Sequence, residues 1–339
     1  MASAQQRTVV FVHSQPRFWR DLAELAQPPA PGEIPERMRG GRNAWVLQTY
    51  LWLRRRGLDA ELATRCRPGA LCVVHSDDLR ARDLAADSYL LGARADRPPM
   101  LLADQQVVQT PLLANGVSSH FIPPWPQPGL LVRAEERGER VERVGFLGRE
   151  RNLAPEFRSP EFRRELAQRG FALVLREDRW WEYRDLDAVL AVHGASPAEL
   201  RTQPASKLVN AWHAGCPALL GPEPAFEARR LSSLDFLAVA TPREALAALQ
   251  RLREEPGLRA AMAENGRRRA REFSVEAIAA RWEDLLAGPV AEDFERWRRA
   301  PRRARWLRFA VRAAQQGVRR DRGLDDAHPH HARLWEDRP

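Results

Sequence analysis

Short apolar runs alternate with longer mixed stretches along the whole chain. Residues 8–13, Thr-Val-Val-Phe-Val-His, are continuously apolar until a polar end, the pattern of a strand buried on both faces. A proline-rich loop follows at 28–35, then a tight glycine turn at Gly40-Gly41-Arg42-Asn43. Asn43 can cap a helix over 44–56, where Val46, Leu47, Tyr50, Leu51 and Leu53 form one stripe. Apolar runs at 59–63, 71–75, 88–92 and 106–109 predict further strands. Strands and helices alternating at this spacing predict a mostly parallel sheet covered by helices.

The segment Ile122-Pro-Pro-Trp-Pro-Gln-Pro128 suits neither helix nor central strand and reads as a stiff linker. A second alternating unit begins beyond it. A strand at 141–147 exits through Gly148-Arg149, and Ser159-Pro160 opens a helix that runs to Gln168 and stops at Gly170. Buried strands are predicted at 171–175 and 187–192, flanking Trp180-Trp181-Glu182-Tyr183. Next come a helix from Pro204 ended by Gly215, a strand at 218–220, a helix near 225–231 and a strand at 236–240. Thr241-Pro-Arg-Glu244 is a capping box with proline at the first helical position, and three helices run on to Leu286. The fold class expected is α/β: two doubly wound Rossmann-like domains facing across a cleft, with C-terminal helices. The domains are 1–128 on the acceptor side and 129–288 on the donor side, then a basic helical segment at 289–322 and a tail at 323–339.

Composition narrows the class. A chain of 339 residues that is 44% hydrophobic holds two cores and is not disordered. No run of 18 apolar residues suggests a membrane span, and the first apolar run is too short for a secretion signal. Cys66, Cys72 and Cys216 are odd in number and lack metal-ligand spacing, so a reducing cytoplasm is expected. No spaced-glycine dinucleotide fingerprint is present, and no nicotinamide cofactor is expected. The net charge of +9 favours anionic partners, a nucleotide diphosphate or an anionic membrane surface. Nucleic acid is not expected, since no reading module accompanies the charge.

Lys207 is the only lysine among 54 basic residues. It falls in the first turn of the helix that follows Pro204, where backbone N–H groups and the helix dipole attract anions. A compact ammonium there suits a phosphate in a way that an arginine fork does not. Otherwise it is a solvated surface lysine.

The run Lys207-Leu-Val-Asn210-Ala-Trp-His-Ala-Gly215-Cys-Pro217 resembles the donor-site helix of GT-B glycosyltransferases, in particular the retaining family 4-like group. Residues 241–286 resemble the closing helices of those enzymes, so the likeness covers most of the C-terminal half. The resemblance implies that Gly148 and Arg149 meet the donor diphosphate together with Ser206 and Lys207. It places Asn210 where relatives carry a glutamate on the ribose hydroxyls, and Thr202 where retaining relatives carry another beside the sugar.

In the first domain His13 and His75 end strands, and either imidazole is a candidate base for an acceptor hydroxyl or a structural histidine. Asp104 is a third candidate base, and the loop of Gly40, Gly41 and Asn43 can approach acceptor or phosphate closely. Trp180, Trp181 and Tyr183 either stack on base or sugar or belong to the core. Residues 295–322 carry eleven arginines, with Trp306, Phe309, Ala310 and Ala313 on one helical face. That face either packs back onto the first domain, as the resemblance implies, or lies on anionic lipid. His328, His330 and His331 sit in a frayed tail, and no metal site is expected.

The function expected is therefore transfer of a sugar from a nucleotide diphosphate sugar to a glycan or lipid-linked acceptor, in the cytoplasm either free or membrane-associated. No cofactor beyond that nucleotide sugar is needed. The alternatives are a nucleotide-sugar epimerase of the same fold and a non-catalytic nucleotide-sugar or membrane-binding protein.

Overall fold

The computed structural model describes residues 8–79 and 87–322. Residues 1–7 and the predicted tail, with its three histidines, lie outside the described residues. Two compact units emerge: one gathers residues up to 109, 113–123 and those from 278 on, the other 110–112 and 124–277. The chain crosses between them at 123/124, inside the proline segment. The sequence ends the second domain at 288, whereas the residues from Ile278 on group with the first unit.

The first unit is built on six parallel strands, β1 (Val9–Val12), β2 (Ala60–Ala63), β3 (Leu71–His75), β4 (Tyr89–Ala95), β5 (Gln105–Val108) and β6 (Ser119–Phe121). Their order is β2-β1-β3-β4-β5-β6, so the winding reverses between β1 and β3. Every residue of β1, β3 and β4 is buried, which is why these strands read as largely apolar runs, with polar residues only towards the ends of β3 and β4. β6 has no such run and escaped sequence reading. Helices α1 (Arg20–Ala23) and α2 (Gln48–Arg55) belong to this unit. Asn43 does not cap a helix. Helical backbone already begins at Gly41, and Asn43–Leu47 is a π turn that leads into α2.

The second unit carries β7 (Arg143–Leu147), β8 (Ala172–Arg176), β9 (Ala188–Ala191), β10 (Ala218–Leu220) and β11 (Leu237–Ala238). They are parallel in the order β11-β10-β9-β7-β8, with the reversal between β7 and β9. Side-chain alternation divides β9 between two cores: Ala188 and Leu190 face one with Phe146 and Leu249, Val189 and Ala191 the other with Leu208 and Phe226. β8, expected to be buried, is an edge strand with half-buried and exposed residues. The helices of this unit are α3 (Pro160–Gln168), α4 (Pro197–Leu200), α5 (Ser206–Ala214), α6 (Pro224–Glu227), α7 (Pro242–Glu254) and α8 (Pro256–Ala270). Ser159 caps α3 and the Thr241–Glu244 box caps α7, as their sequences require.

Helices α9 (Val275–Ala287), α10 (Pro289–Arg299) and α11 (Arg302–Asp321) close the described chain. Pro301 separates the last two. Phe309 and Ala313 of α11 pack on the first unit's core beside Val10, Cys72 and Leu90, while Trp306 and Ala310 face outward. The four-residue face expected from the sequence is therefore divided. Asp104 accepts hydrogen bonds from the Leu90 amide and from Arg312, and Arg308 stands 3.4 Å away. It lies at the N-terminal edge of the sheet, before β5, and anchors α11 rather than serving as a base. Asp104→Ala, which strips two arginines of a buried partner, is expected to cost about 3 kcal/mol in urea unfolding. A loss below about 0.5 kcal/mol, the range of ordinary surface changes, would contradict this anchoring.

Candidate functional site

Where the winding of a parallel sheet reverses, neighbouring loops leave in opposite directions and open a crevice at the carboxyl ends of the strands. In the second unit that point lies beyond β7 and β9. β7 leaves through Gly148, whose φ of +153° favours a residue with no side chain. A Cβ there would stand 3.7 Å from the Lys207 Cε, so the glycine lies against the lysine stem. Arg149 follows, exposed at the start of a short 3-10 turn (Glu150–Asn152).

β9 leaves through His193, a residue the sequence reading passed over. The Lys207 Nζ lies 2.9 Å from His193 Nε2, and His193 Nδ1 lies 2.7 and 2.8 Å from the two Glu223 oxygens. Nδ1 faces a carboxylate and so carries the proton, which leaves the Nε2 lone pair to accept from the ammonium. Glu223, 2% exposed, also accepts from the His193 backbone N–H. The ammonium sits 5.3 Å from the centre of the Phe146 ring. Burial holds the Lys207 pKa below its ordinary value, with the Glu223 charge opposing. Burial and the Lys207 charge likewise lower His193. His193 and Glu223 are polar residues just past the ends of β9 and β10, and it is the sheet order that sets them beside the lysine.

Lys207 stands in the first turn of α5, whose N-terminus no side chain caps and whose end at Gly215 is left-handed, φ +70°. Ser206 precedes it, half-buried. Thus Gly148 and Lys207 come together, with Arg149 and Ser206 next to them in the chain. Asn210 lies one turn along α5, but its Oδ1 already accepts from the Gln127 amide at 3.1 Å. A ribose hydroxyl would have to share that oxygen as donor or accept from the side-chain NH2. Thr202 is buried and its hydroxyl donates to the Glu199 carbonyl at 2.8 Å. Trp181 and Tyr183 are buried, in keeping with the core alternative.

In the first unit the reversal lies beyond β1 and β3, and there the sequence places His13 and His75. Both are fully buried. His13 Nδ1 accepts from the Gln15 amide, and Nε2 meets Asn43 Oδ1 at 2.6 Å. His75 Nδ1 accepts from the Asp77 amide, and Nε2 has no hydrogen-bond partner among the described residues. A neutral imidazole has one lone pair, and in each ring a backbone N–H occupies it. Neither histidine therefore offers a base to an acceptor hydroxyl in this conformation. Beside them Asp78 holds Ser14 and Arg42 at 2.6 and 2.7 Å, and Asp77 pairs with Arg97 at 2.8 Å. Gly40 has φ +85°, and a Cβ on Gly41 would fall 2.5 Å from His75 Nε2. The second glycine is thus set by the imidazole beneath it.

Among the described residues no cluster of three or more His, Cys, Asp or Glu side chains is arranged to hold a metal ion. No described helix is long and apolar enough to cross a membrane.

By sequence the chain matches no protein-family model and no curated protein. By structure it is similar to the sucrose-phosphate synthase of Thermosynechococcus elongatus, at 14% identity and a TM-score of 0.55, over 84% of this chain and 99% of that one. It is also similar to Anabaena HepE in complex with UDP and glucose, at 12% identity and a TM-score of 0.48, over 83% of this chain and 98% of that one. TarM is similar at 9% identity and a TM-score of 0.45; the match covers 71% of this chain and only 58% of TarM. At such identities the likeness is one of fold, and the fold is α/β with two parallel-sheet domains and C-terminal helices, that of GT-B glycosyltransferases.

Burial drives His75 down to about 4 from an ordinary 6.5. Between those values the unfolded chain binds the extra proton, so stability rises with pH. This contribution is complete above the unfolded pKa and falls by about 3 kcal/mol as pH drops through 6.5 toward 4. Urea unfolding from pH 7 to 4 should show the loss, and His75→Asn should flatten the slope; an unchanged slope contradicts it. Gly41→Ala should cost about 2 kcal/mol from overpacking, and less in a His75→Asn background. Equal costs in both backgrounds would show that the imidazole does not set the glycine.

Proposed function

We propose that this GT-B chain transfers a sugar from a nucleotide diphosphate sugar to a glycan or lipid-linked acceptor, and that the second unit holds the donor diphosphate. The observation that carries this reading is the placing of the chain's one lysine. It occupies the N-terminus of α5 at the reversal of the sheet, and its ammonium is fixed by a histidine that a buried glutamate fixes in turn. One ammonium hydrogen goes to His193 and two remain for phosphate oxygens. When the bond between the anomeric carbon and the diphosphate oxygen breaks, its electron pair goes to that oxygen. Lys207, the backbone N–H groups of the first turn of α5 and Arg149 supply positive charge there. The sucrose-phosphate synthase that shares the fold is named for a sugar phosphate, which supports a sugar as the group moved.

A second reading, donor binding without transfer, is favoured by Thr202 and Asn210. Both are uncharged and already tied to backbone. Release of nucleoside diphosphate from a panel of nucleotide sugars, with and without glycan acceptors, separates the two. Loss of one charge-stabilising contact typically costs about 3 kcal/mol of transition-state stabilisation. Lys207→Ala should therefore lower turnover about 100- to 1,000-fold in a protein that loses some stability, with Glu223 left buried without its counter-charge, but still melts cooperatively. Lys207→Arg should recover only part of the loss. Near-native turnover in Lys207→Ala would refute the donor-site assignment. Nucleotide-sugar binding that needs Lys207, with no turnover of any donor, would establish the second reading.

A further inference from the structure

Helix α11 spans twenty residues and packs only one side on the first unit. Its inward arginines are neutralised: Arg305 by Asp87 at 3.1 Å, and Arg308 and Arg312 by Asp104. The outward side is of a different kind. Trp306, Leu307, Val311 and Val318 are 54%, 66%, 48% and 50% exposed, an apolar row along the solvent face of a packed helix. Arg302, Arg303, Trp306, Leu307 and Ala310 together line a shallow open depression. Immediately before it the chain reads Arg298-Arg299-Ala300-Pro301-Arg302-Arg303, and from there to Arg320 it carries no carboxylate. Arg299 and Arg303 have no acidic partner among the described residues.

We infer that the outer face of α11 is a docking surface for a bilayer bearing anionic lipid headgroups. Trp306, Leu307 and Val311 enter the acyl boundary, while the arginines at the head of the helix meet lipid phosphates. A tryptophan beside aliphatic residues and arginines suits that boundary, where one edge of the side chain is apolar and the other wet. Charge complementarity selects this occupant. A second copy laid face to face would bring the same arginine clusters together, and nothing on the face would neutralise them. Twenty residues is long enough to span a bilayer, but the arginines leave the helix too polar to cross, so it lies along the surface. This inference does not rest on the donor-site reading.

Co-sedimentation of the full chain with vesicles is the test, using phosphatidylcholine alone and phosphatidylcholine with about a third phosphatidylglycerol. Binding is expected to the anionic vesicles only, and to weaken as salt is raised. Arg299→Glu with Arg303→Glu should lower partitioning roughly 25-fold or more, since each arginine near such a surface is worth about fivefold. Trp306→Gln with Leu307→Gln should lower it at least tenfold at unchanged melting temperature, because both side chains are already in solvent. No binding by the intact chain, or binding that neither double variant weakens, overturns the proposal. A concentration-dependent dimer in ultracentrifugation that Leu307→Gln abolishes would give the face to a second copy, and overturn it equally.

Discussion

An ammonium partly removed from water must be given an acceptor, and the carboxyl edge of the second unit's sheet is organised around that requirement. Lys207 meets it with the His193 lone pair. The lone pair points the right way only because the other ring nitrogen is committed to Glu223. Glu223 in turn is held through the His193 backbone N–H, at the edge where β9 and β10 end. The three side chains balance to zero net charge, which makes their burial tolerable, and the ammonium still has hydrogens to offer. Phosphate brought to this point would meet a cation that is already oriented and partly shielded from water.

The same logic, with another result, governs the reversal of the first sheet. There most of the polar groups are paired with each other, His13 with Asn43, Asp78 with Ser14 and Arg42, Asp77 with Arg97, and only His75 Nε2 is left without a partner among them. Both imidazole lone pairs are used by backbone N–H groups two residues on. The network fixes the glycine turn at 40–41 through His75, and with it the start of the helical run that leads to α2. Positions that look like chemistry in the sequence are here the framework of a loop.

Much of the architecture was legible because buried parallel strands must be apolar throughout. Residues 71–75 were read with their observed limits, and the capping signals at Ser159 and Thr241 placed α3 and α7. Failures have local causes. Asn43 resembles a cap, but His13, just past the end of β1, takes its side-chain oxygen and the helical run starts earlier. Asp104 resembles a base at a strand end, but it is the wrong end of the strand, a distinction that direction along β5 makes and composition does not. Helix α11 showed an amphipathic pattern in sequence, yet which residues face inward depends on where Asp87 and Asp104 wait for its arginines. His193 and Glu223 carry no motif. They become visible only once the sheet order shows that the ends of β9 and β10 lie beside the lysine.

The central claim, that Lys207 is held ready for a diphosphate, is tested most directly by a crystal structure of the full chain with uridine diphosphate. Guanosine and adenosine diphosphate would serve as further probes. The result expected is a phosphate oxygen within about 3 Å of Lys207 Nζ and near the first N–H groups of α5, with the His193–Glu223 contact kept. A diphosphate seated elsewhere, with the ammonium still bound only to His193, would contradict it.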